Sequence, residues 1–248
     1  GIFDQIGGGF SRYSTDEKWL IPHFEKMLYD NALLLIAYLT AYQLTENQEY
    51  ADIAGRIASY ICRELYHENG GFFSGQDADS DGVEGKYYLF TQEEVVTALG
   101  EKDAEAFCKA YGIEKRAPFA NGSVPNRIAA TGDAWKADDP RLHRLDTYRK
   151  ARTHLHRDEK ILLSWNGWAI IAMSMAGEIL DEERYRNASH RTQRFIEDCM
   201  TDDNDRLYLC FCSGEAAQMG QLDDYAVYAL SLLALYCTTF DCTYLELA

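Results

Sequence analysis

Asn31-Ala-Leu-Leu-Leu-Ile-Ala-Tyr-Leu-Thr-Ala-Tyr42 and Asn166-Gly-Trp-Ala-Ile-Ile-Ala-Met-Ser-Met-Ala-Gly177 read as two copies of one helix. They stand 135 residues apart, and the offset persists without a gap: Tyr50 meets Tyr185 and Ile61 meets Ile196. Each copy continues through a short acidic turn, Leu44-Thr-Glu-Asn-Gln-Glu-Tyr50 or Ile179-Leu-Asp-Glu-Glu-Arg-Tyr185, into a second helix. A third copy opens at Asp224-Tyr-Ala-Val-Tyr-Ala-Leu230 and turns at Phe240-Asp-Cys-Thr-Tyr244. The first helix of each copy is almost wholly apolar, the pattern of a helix buried on all sides. The second mixes Arg56, Arg63 and Glu64 with Ile53, Ile57, Tyr60 and Ile61, an amphipathic period. Repeated hairpins of this kind predict an all-α fold, an α/α toroid whose inner apolar helices are ringed by outer amphipathic ones. Connections of very unequal length argue against an evenly stacked solenoid. The third hairpin stops soon after its turn, so the expectation is one incomplete toroid domain over residues 1–248.

Weaker helical sequence lies between the copies. Thr91-Gln-Glu-Glu94 is a capping box, opening a helix that ends at Gly100, and residues 102–111 read as another. Pro118, Asn121-Gly122 and Pro125 break residues 112–138 into loops, and a helix is expected from about Pro140 to His156.

A formal charge of −16 disfavours nucleic acid and anionic membrane surfaces as partners, because phosphate binding needs clustered Lys and Arg. Seven scattered cysteines form no C-x-x-C pair and no zinc-spaced set, which fits buried thiols in a reducing, cytoplasmic setting. No cofactor or resident metal is called for. Asp77-Ala-Asp79-Ser-Asp81-Gly82 opens like a calcium loop, but the twelfth position is Tyr88 rather than Glu. A solvated or substrate-facing acidic loop is the better reading.

The connections are asymmetric. Those from inner to outer helix are short and plain, whereas those from outer to inner are long and rich in polar, Gly and aromatic residues: 8–13, 70–85 and 205–213. In a toroid all of these, with the inner-helix starts, would share one rim, and loops on a rigid scaffold are where function concentrates. The candidate acid–base groups there are His23, Glu25, Asp77, Asp79 and Glu84. Candidate binding residues are Arg12, Tyr13, Tyr29, Asp30, Trp165, Asn166, Asp223, Asp224 and Tyr225. His23 reads equally as a proton-transfer group or as a loop lock bonded to backbone. Asp30, Asn31, Asn166 and Asp224 have a competing role as helix caps. Glu25 and Lys26 also read as a solvated pair, and His143, His154 and His156 as surface residues of a helix.

Gly7-Gly-Gly-Phe-Ser-Arg-Tyr-Ser14, Pro22-His-Phe-Glu-Lys-Met-Leu-Tyr-Asp-Asn-Ala32, Gln76-Asp-Ala-Asp-Ser-Asp-Gly-Val-Glu-Gly85, Asp158-Glu-Lys-Ile-Leu-Leu-Ser-Trp-Asn-Gly167 and Gly220-Gln-Leu-Asp-Asp-Tyr225 resemble the YyaL family of spermatogenesis-associated, thioredoxin-domain proteins. The resemblance implies a thioredoxin-like domain preceding a toroid similar to six-hairpin glycosidases and N-acylglucosamine 2-epimerases. Two functions follow as expectations. One is carbohydrate processing, by hydrolysis or epimerisation, through the rim residues. The other is a non-catalytic ligand- or client-binding module that works with the thioredoxin-like domain as its partner.

Overall fold

The computed structural model describes residues 1–115, 122–128 and 139–248; much of the breaker-rich stretch 112–138 lies outside them. Among the described residues run nine α-helices: α1 (Leu28–Thr45), α2 (Gln48–Tyr60), α3 (Gln92–Leu99), α4 (Glu101–Ala110), α5 (Pro140–Arg152), α6 (Leu163–Ile179), α7 (Glu183–Cys199), α8 (Leu222–Thr239) and α9 (Thr243–Leu247). The chain forms two compact units, each from two segments: Gly1–Lys26 with Gln76–His156, and Met27–Gly75 with Arg157–Ala248.

The second unit holds the repeat. Helices α1 and α6 start 135 residues apart, as do α2 and α7. A left-handed residue follows each inner helix in the same register: Glu46 (φ 57°), Asp181 (φ 52°) and Phe240 (φ 57°). The offset even outlasts the helices, because the antiparallel bridge between Tyr66 and Phe72 recurs between Thr201 and Leu207. The 135-residue offset is therefore a structural period.

Helix α6 packs against α1, α7 and α8. Small residues permit that approach: a Cβ on Gly167 would lie 2.8 Å from Val227 Cγ1 of α8. Burial on all sides, expected for every inner helix, is met by α6 but not by its neighbours. Leu33 of α1 and Leu230 and Leu233 of α8 are exposed, because in this unit α6 stands between α1 and α8, giving each only one inner-helix neighbour. The outer helices are joined by a tyrosine in the repeat register. Tyr185 of α7 donates to the Gly55 carbonyl (3.2 Å) and shares a hydrogen bond with Ser59 Oγ (2.8 Å), both on α2. Tyr244 of α9 likewise reaches His190 Nδ1 of α7 at 2.9 Å, and His190 is the counterpart of Gly55. A three-stranded antiparallel sheet, Ile161–Leu162, Tyr208–Cys212 and Glu215–Met219, precedes α8.

The other unit has its own core, in which Ile6, Phe90, Val95, Leu99, Phe107, Tyr111, Leu142 and Leu145 pack together. The capping box at α3 forms as expected: Thr91 Oγ1 accepts from Glu94 N and Glu94 Oε2 from Thr91 N. Helix α5 ends at Arg152, four residues short of His156. Thr153 turns to extended backbone and donates to Asp81 Oδ2 at 2.6 Å, while the Arg152 guanidinium holds the carbonyls of Lys86, Tyr87 and Leu89. Asp81-Gly82 forms the two-residue turn of a hairpin, with both residues left-handed and Asp79 paired to Glu84.

A buried ionic cluster ties this unit's two segments together. Lys26 Nζ lies 2.7 Å from Asp4 Oδ2 and 2.8 Å from the Gly8 carbonyl, and Arg149 Nη1 lies 2.9 Å from the same Asp4 oxygen. Asp4 Oδ1 accepts from the backbone of Ile6 and Gly7, and Arg149 also grips Asp146. The rings of Tyr87 and Tyr88 face the cations. Lys26 is 1% exposed, so the expected solvated Glu25–Lys26 pair does not exist; alternation along the strand turns Lys26 inward.

Burial alone would raise the Asp4 pKa, but the Arg149 and Lys26 charges and the backbone donors override it and hold the carboxyl far below the usual range. Its stabilisation is thus fully present above the unfolded value near 3.9 and eroded as the pH falls from there toward the native value. Asp4→Asn should cost about 3–5 kcal/mol at neutral pH, since it leaves two buried cations short of a partner. Urea unfolding from pH 7 to pH 2.5 should show a flatter acid limb for the variant than for the wild type.

Candidate functional site

Residues 12–15 and 21–25 form a short antiparallel ladder. Its rungs are Arg12 N to Glu25 O (3.1 Å), His23 N to Tyr13 O (2.9 Å) and Thr15 N to Ile21 O (2.8 Å). The ladder brings four of the sequence-derived candidates together. The Tyr13 and His23 rings stack with centroids 4.9 Å apart and planes 20° from parallel. Glu25 Oε2 lies 3.5 Å from His23 Nδ1 and 3.1 Å from Arg12 Nη1. At 3.5 Å the imidazole–carboxylate contact is an electrostatic approach rather than a short hydrogen bond. His23 is a quarter exposed, so it is reachable while its ring orientation is held by Tyr13. The His23 ring faces the Glu25 carboxylate, while its backbone N–H pairs with Tyr13 in the ladder.

The tip of the ladder carries a feature absent from the sequence reading. Asp16 accepts from the backbone N–H of Lys18, Leu20 and Ile21 (3.0, 2.9 and 2.7 Å). Between those anchors Trp19 takes φ 59°, a left-handed conformation costing a bulky residue roughly 1–2 kcal/mol. Burial opposes ionisation of Asp16, but the backbone donors prevail and lower its pKa.

Of the acidic-loop candidates in the same unit, Asp79 and Glu84 are exposed hairpin partners. Asp77 Oδ2 lies 2.8 Å from His156 Nδ1. His156 therefore sits beyond α5 as half of a second imidazole–carboxylate pair, which corrects its reading as a helix-surface residue. Among the described residues no three His, Cys, Asp or Glu side chains converge as metal ligands would.

In the repeat unit the polar residues at the inner-helix starts bond mostly to backbone. Asn31 and Asn166 are fully buried, and each donates to the carbonyl four residues back, Met27 or Leu162, at 2.9 Å. Asn166 also clamps the backbone of Phe72, accepting from its N–H at 2.7 Å and donating to its carbonyl at 3.0 Å. Tyr225, in the equivalent place on α8, accepts from Leu207 N at 3.0 Å, and Leu207 is the counterpart of Phe72. Asp224 caps α8 by accepting from Gln221 N and reaches across to Ser164 N of α6. Asp30 stands in the first turn of α1 and Asp223, exposed, in that of α8. Tyr29 and Trp165 form a tilted, half-buried pair with centroids 4.7 Å apart.

No protein-family model matches the chain. A solved unsaturated glucuronyl hydrolase of Bacillus sp. GL1, responsible for glycosaminoglycan degradation, superposes with a TM-score of 0.53 at 12% identity, covering 98% of this chain and 48% of that one. That likeness shows the fold alone, an α/α toroid. Human spermatogenesis-associated protein 20 is 32% identical over 293 residues, an alignment that takes in all of this chain and 37% of that protein. The chain belongs to the family of these spermatogenesis-associated proteins and spans a little over a third of their length. Cellobiose 2-epimerase of Bacteroides fragilis is 25% identical over 166 residues, covering 62% of this chain and 42% of that enzyme.

Asn166→Ala should cost about 2–4 kcal/mol, because both polar groups of the buried Phe72 backbone lose their partner. Tyr225→Phe keeps the ring and removes one acceptor, costing about 1 kcal/mol. Urea midpoints at unchanged m-value would measure both.

Proposed function

We propose that this domain carries out acid–base chemistry on a carbohydrate, with His23 transferring the proton and Glu25 orienting it. The observation that carries the reading is the Arg12–Glu25–His23–Tyr13 cluster: a reachable imidazole faces a carboxylate, is steadied by an aromatic ring, and has a guanidinium nearby. A positioned histidine of this kind suits proton transfer near neutral pH. Proton abstraction next to a sugar carbonyl fits this dyad better than glycoside hydrolysis, which needs two carboxylates set across the scissile bond. The likeness to a cellobiose 2-epimerase and to a glucuronyl hydrolase supports a sugar as substrate. Asp77 with His156, in the same unit, supplies a second imidazole–carboxylate pair.

A second reading has its own support. Asn166, Asp224 and Tyr225 all engage backbone, so none of these inner-helix candidates is placed to transfer a proton to a bound ligand. On that reading the domain is a binding module serving a thioredoxin-like domain.

A screen of reducing disaccharides, unsaturated glucuronides and sugar phosphates decides between them. For the enzyme, His23→Ala should lower kcat at least 100-fold and Glu25→Gln roughly ten-fold, with far-UV circular dichroism unchanged. Activity equal to wild type in both variants would overturn the assignment. Ligand binding without turnover in the wild type would establish the module.

A further inference from the structure

The loop 14–22 holds an exposed tryptophan in a conformation that tryptophan disfavours. Trp19 is 53% exposed and left-handed, so no gain from burying its ring explains the strain. The turn is nonetheless tightly built. Asp16 gathers three backbone N–H groups, its own carbonyl accepts from Trp19 N (3.2 Å), and Ser14 Oγ donates to that same carbonyl at 2.9 Å. Ser14 and Pro22 bridge at its neck, and Thr15 Oγ1 donates to Ile21 O at 2.8 Å. A rigid strained turn that presents an indole to water points to a ligand for that indole.

We propose that Trp19 is a stacking platform for a pyranose ring, an accessory subsite beside the Tyr13–His23–Glu25 cluster. The ladder sets the spacing. The Thr15–Ile21 rung lies two residues beyond the Tyr13–His23 rung, roughly 7 Å of strand, and Trp19 lies beyond that. A ring on Trp19 is therefore a neighbour of the sugar at His23, and the substrate class is an oligosaccharide of at least two units. The surroundings favour sugar over an apolar protein surface. Thr15, Glu17 and Lys18 are exposed polar neighbours of a single indole, which matches a ligand with one apolar face and a rim of hydroxyls. A protein-docking patch would instead be contiguous and apolar. Asp16 is the positioning residue, since it fixes the turn without presenting a face of its own.

The subsite rests on the carbohydrate reading but is tested by binding rather than turnover, so the two fail separately. The four indole N–H resonances of the 15N-labelled chain are recorded during titration with cellobiose, cellotetraose and mannotetraose, and Trp19 is assigned by its loss in Trp19→Phe. One tetrasaccharide should shift the Trp19 resonance saturably, with cellobiose weaker. Trp19→Ala should raise Kd about ten-fold, Trp19→Phe less, and Asp16→Ala nearly as much as Trp19→Ala while circular dichroism is unchanged. The same pattern in a His23→Ala background, where turnover is gone, supports the subsite independently of catalysis. A Trp19 resonance unmoved by any of the three sugars overturns the proposal. So does a Kd in Trp19→Ala equal to wild type.

Discussion

The repeat unit depends on one interaction, a side chain at the fourth position of α6 and of α8 that takes hold of the preceding copy's backbone. Asn166 holds both polar groups of Phe72, and Tyr225 holds the N–H of Leu207. Phe72 and Leu207 each sit in a two-residue bridge that closes the loop after an outer helix. The contact therefore fixes where one hairpin ends relative to where the next begins. Buried backbone groups left unpaired are costly, so the register of the hairpins is set by hydrogen bonds while their cohesion comes from apolar burial. The tyrosines at the outer-helix starts, Tyr185 and Tyr244, act at the opposite end of each hairpin. Two small contacts per junction thus govern the placement of long helices.

The second organising element is chemically opposite. The unit built from Gly1–Lys26 and Gln76–His156 places two cations and two carboxylates in its interior, faced by tyrosine rings. Such a cluster adds less net stability than an apolar core of equal volume would, but it tolerates few alternative pairings. Because Asp4, Lys26 and Arg149 come from distant points in the chain, it specifies which segments meet. The ladder that presents His23 and Glu25 runs directly into Lys26, so the cluster anchors the base of the candidate site.

Much of this was readable in the sequence because it recurs. The 135-residue offset, the acidic turns and the capping box at Thr91 are local or periodic signals, and each has a structural counterpart. The inner-helix polar residues were harder to interpret, because an asparagine that clamps a distant backbone looks the same in sequence as one that binds a ligand. Lys26 carries no local signal, because its partners Asp4 and Gly8 lie 22 and 18 residues away. Asp81-Gly82 reads in sequence as part of an alternating acidic run, and in the structure it is the tip of a hairpin. Trp19 had no readable signal, since nothing in Ser14-Thr-Asp-Glu-Lys-Trp19 announces a left-handed backbone in a residue that avoids it.

The junction contacts also bear on how such a chain assembles without error. Repeats of similar sequence risk exchanging places during folding, with one hairpin docking where another belongs. Here the same task falls to an amide at one junction and to a phenol at the next, and the two differ in length, in donor count and in the cavity each fills. A hairpin in the wrong slot would leave the waiting N–H group either unreached or crowded. The copies are alike enough to share one architecture, while the residue at each joint differs enough to favour the native order of hairpins.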